Sequence, residues 1–276
     1  MMNSFILDSL NKLKFFCLNP ELDLRIMLNK CSLKDREIIL SNFDSEDIDM
    51  KKFKKYFQRR INNEPISKIL ESKDFWKYNF YVNSDVLDPR PETELILEKI
   101  LELFPLKTKK LYILDMCTGS GCIAISLAKE YPNAEIIATD LSLKAIKVAK
   151  INAKKLNCLD RINFINCDLI NKIDTFDIVV CNPPYLSETE YSKTSLEIQC
   201  FEPKIALVGL KNGYEFYYRL SKILPKILHK KSLALIEIGS LQAEKTIGIF
   251  KSNKINIIKL VKDIQDLDRL LILNKT

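Results

Sequence analysis

The chain has 276 residues, of which 47% are hydrophobic and 29% charged, and its formal net charge at pH 7 is +7. These values predict a soluble globular protein with one large and one small domain. No run of about 18 apolar residues is present, which excludes a membrane-spanning helix, and the first residues lack the basic segment of a secretory signal.

The cysteines and histidines limit the chemistry further. None of the eight cysteines forms a Cys-x-x-Cys pair, so we expect reduced thiols in a cytoplasmic protein, not a disulfide framework or a zinc site. The single histidine, His229, is expected to be a solvated residue near a helix end. One histidine argues against catalytic triads and His-rich metal sites, and we expect no metal.

Residues 1–74 are predicted to form a small helical domain, because apolar residues recur at helical spacing without a single glycine. Asp44 or Ser45 would cap a helix over residues 47–57. Residues 51–60 are rich in lysine and arginine, and their apolar positions indicate an amphipathic helix with a basic outer face. This face is either solvated or in contact with RNA or an RNA-bound partner.

Residues 75–90 are predicted to be a hairpin or extended linker, and residues 91–276 a second domain that begins with a helix over 95–104. Strands and helices then alternate, which predicts an α/β fold with a mainly parallel sheet covered on both faces. The short connection between the last two strands indicates an antiparallel pair. The seven predicted strands cover residues 111–114, 135–139, 162–165, 176–180, 233–238, 255–261 and 269–273.

A glycine-containing loop, residues 115–121, joins the first of these strands to a helix. Gly119 and Gly121 would let a ligand approach the backbone beside the helix N-terminus. Their spacing also matches the dinucleotide fingerprint, which nicotinamide-binding and S-adenosylmethionine-binding proteins share. Asp140 ends the second strand, where a carboxylate can accept both ribose hydroxyls. Asp168 and Leu169 follow the third, where they can meet the adenine amino group and ring; alternatively, each aspartate is a helix cap.

The segment Asn182-Pro183-Pro184-Tyr185 follows an apolar strand. Two prolines cannot continue a strand, so this segment is predicted to be a stiff loop with an amide, free carbonyls and an aromatic ring. Such a loop suits a planar group with two N–H donors. The Asn182 side-chain oxygen and the Pro183 carbonyl would each accept one N–H of a carboxamide, and Tyr185 would press on its face.

Together these motifs resemble the release-factor glutamine methyltransferase family, over nearly the whole chain from about residue 20. The resemblance implies a Rossmann-like methyltransferase domain that methylates, with S-adenosylmethionine, the glutamine amide nitrogen in the Gly-Gly-Gln loop of class I peptide release factors. Residues 1–74 would recognise the substrate. The segments that carry the resemblance are Asn62-Asn63-Glu64-Pro65-Ile66, Asp74-Phe75-Trp76, Pro89-Arg90-Pro91-Glu92-Thr93-Glu94, residues 115–121, Asp140, residues 182–185, Phe201-Glu202-Pro203 and Asn212-Gly213.

By the same resemblance, the catalytic residues would be Asn182, Pro183 and Tyr185, and substrate would bind residues 182–185. We expect a monomer with no stable nucleic-acid contact and no membrane contact. The residues implied in cofactor binding are Asp115, Cys117, Thr118, Gly119, Ser120, Gly121, Asp140, Asp168, Leu169 and Asn182.

Some positions depart from the family pattern. Cys117 stands where many members have glycine, which requires either a negative φ or a side chain that faces the sheet. Leu169 replaces a frequent aromatic residue, and Asp88 stands where an apolar residue is common. Cysteine is frequent at this position in a related family that methylates a glutamine of a large-subunit ribosomal protein, although Pro91 differs from the serine usual there.

Three alternatives therefore stay open: glutamine methylation of a ribosomal protein, adenine N-methylation of DNA, and a nucleotide-binding module without catalysis. DNA methylation would need a base-flipping groove and a target-recognition region. The first 75 residues, with 14 basic and 12 acidic side chains, make a poor DNA clamp. The intact 182–185 loop argues against a non-catalytic module.

Overall fold

The computed structural model describes residues 4–34, 38–42, 44–170 and 173–276. Internal contacts divide the chain into two units, Met1–Glu71 with Ser195–Phe201, and Ser72–Thr194 with Glu202–Thr276. The helices are α1 Ser4–Leu13, α2 Pro20–Lys30, α3 Met50–Ile61, α4 Ile66–Leu70, α5 Glu94–Leu103, α6 Cys122–Glu130, α7 Leu143–Lys155, α8 Glu188–Tyr191, α9 Leu196–Phe201, α10 Glu215–Ile227 and α11 Ala243–Ser252. The strands are β1 Lys73–Phe75, β2 Tyr78–Phe80, β3 Tyr112–Met116, β4 Glu135–Asp140, β5 Ile162–Asn166, β6 Phe176–Cys181, β7 Leu228–Glu237, β8 Ile255–Lys262 and β9 Asp268–Lys275.

The first unit is helical. Its core includes Leu24 and Phe53, both buried. Arg60 is also buried, and its guanidinium donates to Asp23 Oδ2 at 2.6 Å and forms an ion pair with Glu197 of α9. The predicted cap was misplaced: Asp44 caps a short 3₁₀ turn, whereas Asp49 accepts from the Lys52 N–H and starts α3 at Met50.

The second unit contains the hairpin β1–β2 and a seven-stranded sheet in the order β5-β4-β3-β6-β7-β9-β8. The first five strands of that order pair in parallel, and β9 pairs antiparallel with both β7 and β8. The predicted α/β fold, its seven strands and its antiparallel closing pair are confirmed. No helix within the described residues is long and apolar enough to cross a membrane.

The strand order positions a ligand site. The chain runs outward from β3 to β4 and β5, then returns to β6 on the other side of β3. Met116 of β3 pairs in register with Thr139 of β4 and with Cys181 of β6, so three strand ends meet at one edge. In open α/β sheets, ligands bind in the crevice at such a switch point.

Some elements differ from the sequence prediction. Strand β7 begins at Leu228, five residues earlier than predicted, so His229 lies in a strand and not at a helix end. Its Nε2 is 3.3 Å from Asp177 Oδ1 of β6. The segment between β6 and α10 contains α8, α9 and a 3₁₀ turn, Lys204–Ala206, none of which the sequence predicted.

Candidate active site

A cavity that opens to solvent lies at the carboxyl ends of the parallel strands, and its empty space, with the adjoining solvent included, is about 920 Å³. Segments 85–90, 117–123, 140–145, 168–169 and 203–206 contribute to its lining, together with Thr93 and Phe216. Of the thirteen predicted site residues, nine line the cavity: Cys117, Thr118, Gly119, Ser120, Asp140, Asp168, Leu169, Asn182 and Pro184. The other four, Asp115, Gly121, Pro183 and Tyr185, are not part of its surface.

Asp115 shapes the glycine loop from beneath. Its side chain is fully buried at the end of β3, and its Oδ2 accepts from Thr118 Oγ1 at 2.6 Å and from the Ala124 N–H at 3.2 Å. Burial raises the pKa of Asp115 to about 7, although these two donors act in the opposite direction. The carboxyl therefore ties the loop to the first turn of α6.

The glycine loop follows a left-handed path. Gly119 has φ 56° and an added Cβ there would meet no atom within 4 Å, so the backbone beside the cavity is open. Gly121 has φ 82°, and its added Cβ would come within 3.0 Å of Ala149 Cβ. Gly121 is thus required for the close packing of α6 on α7, while Gly119 leaves room for a ligand.

The backbone conformation of Cys117 differs from one of the two alternatives that the sequence allowed. Its φ is 60°, so the negative-φ alternative is wrong, and its side chain instead packs against the core beneath the sheet end. Burial, followed by the nearby Cys117 thiol, raises the pKa of Cys181. A cysteine is tolerated in this backbone conformation because its side chain is packed.

Asp140 connects the loop after β3 to the start of α7. Its Oδ2 accepts from the Gly119 N–H at 2.9 Å and its Oδ1 from the Ser142 N–H at 2.8 Å. Ser142, whose hydroxyl accepts from the Ala145 N–H, is the helix cap, so Asp140 is not. Burial raises the pKa of Asp140. Each carboxylate oxygen keeps a lone pair for a further donor, as a ribose diol would supply.

Asp168 and Leu169 follow β5 and line the same cavity as Asp140. Asp168 Oδ2 pairs with the Arg219 guanidinium at 2.7 Å, and about half of the Asp168 side chain is exposed. Leu169 has φ 60° and is buried, and its carbonyl accepts from Thr139 Oγ1. The pair therefore places an anchored carboxylate beside an apolar side chain on the cavity surface.

The Asn182 side chain is held from one side. Its Nδ2 donates to Thr93 Oγ1 at 3.0 Å, and Thr93 Oγ1 donates to Glu237 Oε2 at 2.7 Å. Tyr185 lies outside the cavity surface: its ring packs against the core and its hydroxyl lies 3.4 Å from Glu237 Oε1. Glu237, at the end of β7, is therefore linked to Asn182 through Thr93 and to Tyr185 directly.

Two glycines support the loop backbone from behind. An added Cβ at Gly209 would lie 2.6 Å from the Pro184 carbonyl oxygen, and one at Gly213, where φ is 85°, would lie 2.1 Å from that of Tyr185. The Tyr185 carbonyl also accepts from Gln242 Nε2 at 2.8 Å. The Asn212-Gly213 motif thus allows a close backbone approach that any side chain would block.

Sequence reasoning left four residues of this region without a role: Arg90, Thr93, Glu202 and Glu237. Arg90 Nη2 pairs with Glu202 Oε2 at 2.6 Å, so the Pro-Arg-Pro and Phe-Glu-Pro motifs meet beside the cavity. An acid in the apolar strand 233–238 was a visible signal for Glu237. In the described part of the chain, no group of three or more His, Cys, Asp or Glu side chains could hold a metal ion.

Comparison with known proteins places this site in context. A family model described as a methyltransferase small domain matches residues 86–200. The chain is 37% identical over 256 residues to the release factor glutamine methyltransferase of Clostridium acetobutylicum, covering 91% of this chain and 90% of that protein. It is also 37% identical over 285 residues to a bifunctional methyltransferase of Rickettsia prowazekii.

The extent of these matches differs. The Rickettsia match covers 96% of this chain but only 55% of that protein, so the chain spans about half the length of such bifunctional relatives. Among solved structures, a ribosomal protein L11 methylase from Lactobacillus delbrueckii subsp. bulgaricus aligns with a TM-score of 0.51 at 21% identity. It covers 68% of this chain and 80% of that chain, and it supports the fold alone.

Proposed function

Because the chain belongs to the release factor glutamine methyltransferase family, we propose that it methylates the glutamine of the Gly-Gly-Gln loop in class I peptide chain release factors, using S-adenosylmethionine. One observation carries the proposal: Asn182 lines the same cavity as the glycine loop and Asp140. A side chain that can recognise an amide and a site suited to a nucleoside therefore line the same cavity. A release-factor substrate places the reaction in the cytoplasm, and we propose that the enzyme acts as a monomer.

The residues present fit S-adenosylmethionine. The open backbone at Gly119 leaves space beside the cavity that a Cβ would fill. Asp140 offers one free lone pair on each oxygen to the ribose diol, and Asp168 and Leu169 offer an acceptor and an apolar surface to adenine. The bound cofactor supplies a methyl group on a positively charged sulfur.

The chemical task of this chain is to prepare a poor nucleophile. An amide nitrogen shares its lone pair with the carbonyl, the resonance that gives the peptide bond a rotation barrier of about 18–20 kcal/mol. We propose that Asn182 Oδ1 accepts one N–H of the substrate amide and the Pro183 carbonyl the other. Within the described residues, no hydrogen bond ends on the Pro183 carbonyl, which leaves it able to accept.

The orientation of the substrate amide then supplies most of the rate enhancement. Effective-molarity estimates for oriented reactants correspond to roughly 7–11 kcal/mol. No strong base is required, because the N-methylated amide cation loses its proton readily. Tyr185 contributes by fixing the loop through Glu237 and the core.

The test is methyl transfer from labelled S-adenosylmethionine to three purified acceptors: a class I release factor, the large ribosomal subunit and duplex DNA. We expect label on the release factor, lost when its Gly-Gly-Gln glutamine is replaced by alanine. Label on a ribosomal protein would support the alternative that Cys117 suggested, and label on DNA would support adenine methylation. Either result, without release-factor labelling, contradicts the proposal.

A further inference from the structure

Thr93 and Glu237 lie outside the predicted site, yet Thr93 contacts Asn182 and Glu237 contacts Thr93. We propose that Glu237, acting through the Thr93 hydroxyl, is a positioning residue that fixes the Asn182 amide with its Oδ1 toward the cavity, a role that rests on the proposed methyl transfer. The three side chains come from distant parts of the second unit: the start of α5, the end of β6 and the end of β7.

The contacts form one chain. Asn182 Nδ2 lies 3.0 Å from Thr93 Oγ1, and Thr93 Oγ1 lies 2.7 Å from Glu237 Oε2. Thr93 is 2% exposed and Glu237 1% exposed, so water does not compete for either contact. Buried polar groups of this kind are costly to leave without partners, which makes the arrangement specific.

The direction of these hydrogen bonds follows from the ionised carboxylate. A carboxylate only accepts, so the single hydroxyl proton of Thr93 must point to Glu237. The Thr93 oxygen can then only accept, so Asn182 must offer it the NH₂ group and not the oxygen. The opposite end of the amide, Oδ1, is thereby left for the substrate N–H. Without the carboxylate, the Asn182 amide could flip and place its NH₂ group opposite the substrate N–H. Two donors cannot form a hydrogen bond with each other.

The same carboxylate fixes the other end of the loop. Its second oxygen, Oε1, accepts from the Tyr185 hydroxyl, which lies 3.4 Å away. Several groups face Glu237: Thr93, Arg269 of β9, Glu92 of the 3₁₀ turn before α5, Tyr185, and the titratable side chains of Cys122, Cys181 and Tyr217. Arg269 favours the ionised form, whereas Glu92 opposes it. Arg269 is in turn paired with Asp263, at 3.1 Å.

Protonation of Glu237 would remove the fixed direction of the hydrogen bonds between Asn182, Thr93 and Glu237. Burial raises the pKa of Glu237 to about 7, and the donors and Arg269 only partly offset it. A protonated carboxyl donates to Thr93 Oγ1, which frees the Thr93 proton for Asn182 and permits the reversed amide. We therefore expect the fraction of correctly oriented Asn182 to fall as pH decreases through about 7.

The main test compares Thr93→Val with Thr93→Ser. Valine keeps the shape but removes the hydroxyl, so kcat on the release factor should fall on the order of 10². The KM for S-adenosylmethionine should stay within about threefold, and serine should restore most of kcat. Thr246→Val is the matched control, because Thr246 is fully buried in α11 and its Oγ1 has no hydrogen-bond partner among the residues that the structure describes. Equal kcat for the valine and serine variants overturns the proposal.

Glu237→Gln supplies the pH readout, since glutamine does not titrate and has both donor and acceptor atoms. The kcat of the wild type should decrease as the pH is lowered below 7, whereas the variant should be slower and should not show this decrease. If the kcat of Glu237→Gln decreases with pH as in the wild type, the proposed role is contradicted.

A readout independent of activity separates this role from the proposed function. The ¹⁵N side-chain NH₂ signal of Asn182, identified by its loss in Asn182→Asp, should shift with a midpoint near pH 7 in wild type and lose that dependence in Glu237→Gln. A signal that does not change with pH in the wild type overturns the positioning role of Glu237. Failure of wild type to methylate any release factor, with the NMR shift present, overturns the function but not the positioning role.

Discussion

At the scale of single residues, Cys117 shows how a local rule is overridden by packing. A side chain at φ 60° costs roughly 1–2 kcal/mol relative to glycine. The Cys117 side chain offsets part of this cost by packing against the core. The sequence could show that cysteine replaces glycine at this position, but not how the cysteine is accommodated. The packing of its side chain involves β6, which lies about sixty residues away in the chain.

Asp115 provides a stability prediction at this scale. Its folded-state pKa is raised to about 7, above its usual value of about 3.9, so its contribution is fully present below pH 4 and is lost as pH rises to 7. In the variant Asp115→Asn, the new amide does not titrate, and its oxygen could still accept from Thr118. The loss of unfolding free energy caused by this substitution should therefore be smaller at pH 8 than at pH 5.

Urea unfolding of both proteins at the two pH values measures this difference. Other titrating groups, including Glu237, are present in both proteins and cancel in the comparison. A loss that is equal at pH 5 and pH 8 would show that Asp115 ionises normally in the folded chain.

At the scale of elements, the loop 182–185 depends on the segment that backs it. Gly213→Ala would place a Cβ 2.1 Å from the Tyr185 carbonyl oxygen at a φ of 85°, so the loop must move. We expect a loss of about 2 kcal/mol or more of unfolding free energy and a lower kcat. Gly248→Ala is the matched control, because its Cβ meets no atom within 4 Å inside α11.

Thermal unfolding and methyl-transfer rates check this prediction together. Alanine in a helix interior should stabilise the control by roughly 0.5–1 kcal/mol and leave its rate unchanged. If Gly213→Ala behaves like Gly248→Ala, the close backbone approach does not matter for the loop.

The elements also show what sequence can and cannot predict. The strands of the parallel sheet were predicted within about five residues, because long apolar runs alternate with periodic helices. The short helices α8 and α9 were missed, since four and six residues are too few to show a helical period. The Thr93–Glu237 contact joins residues 144 apart, and no local pattern predicts such a pair.

At the scale of the whole molecule, the basic side chains of the helical unit differ in their exposure. Lys51, Lys54 and Lys55 of α3 are exposed, whereas Arg59 pairs with Glu64 and Arg60 is buried. The basic cluster predicted from the sequence thus divides into exposed lysines and structural arginines. We propose that these lysines attract an acidic or RNA-bound surface of the substrate.

This proposal predicts an effect on substrate capture alone. The double change Lys54→Glu and Lys55→Glu should raise KM for a full-length release factor about tenfold at low salt, and less at high salt. A short peptide with the Gly-Gly-Gln sequence should be methylated as before. The matched control is Lys12→Glu with Lys14→Glu, at exposed positions at the end of α1. An equal rise in KM for both double variants would contradict a specific role of α3.

The account as a whole depends on Asn182 orienting the substrate amide. The most direct test is the single-turnover rate of methyl transfer to a release factor, measured side by side for the wild type and Asn182→Ala at saturating cofactor. We predict that the rate falls by roughly 10²–10³, the scale of one lost oriented contact in a transition state, while cofactor affinity falls less. A variant with a near-normal rate would contradict the account.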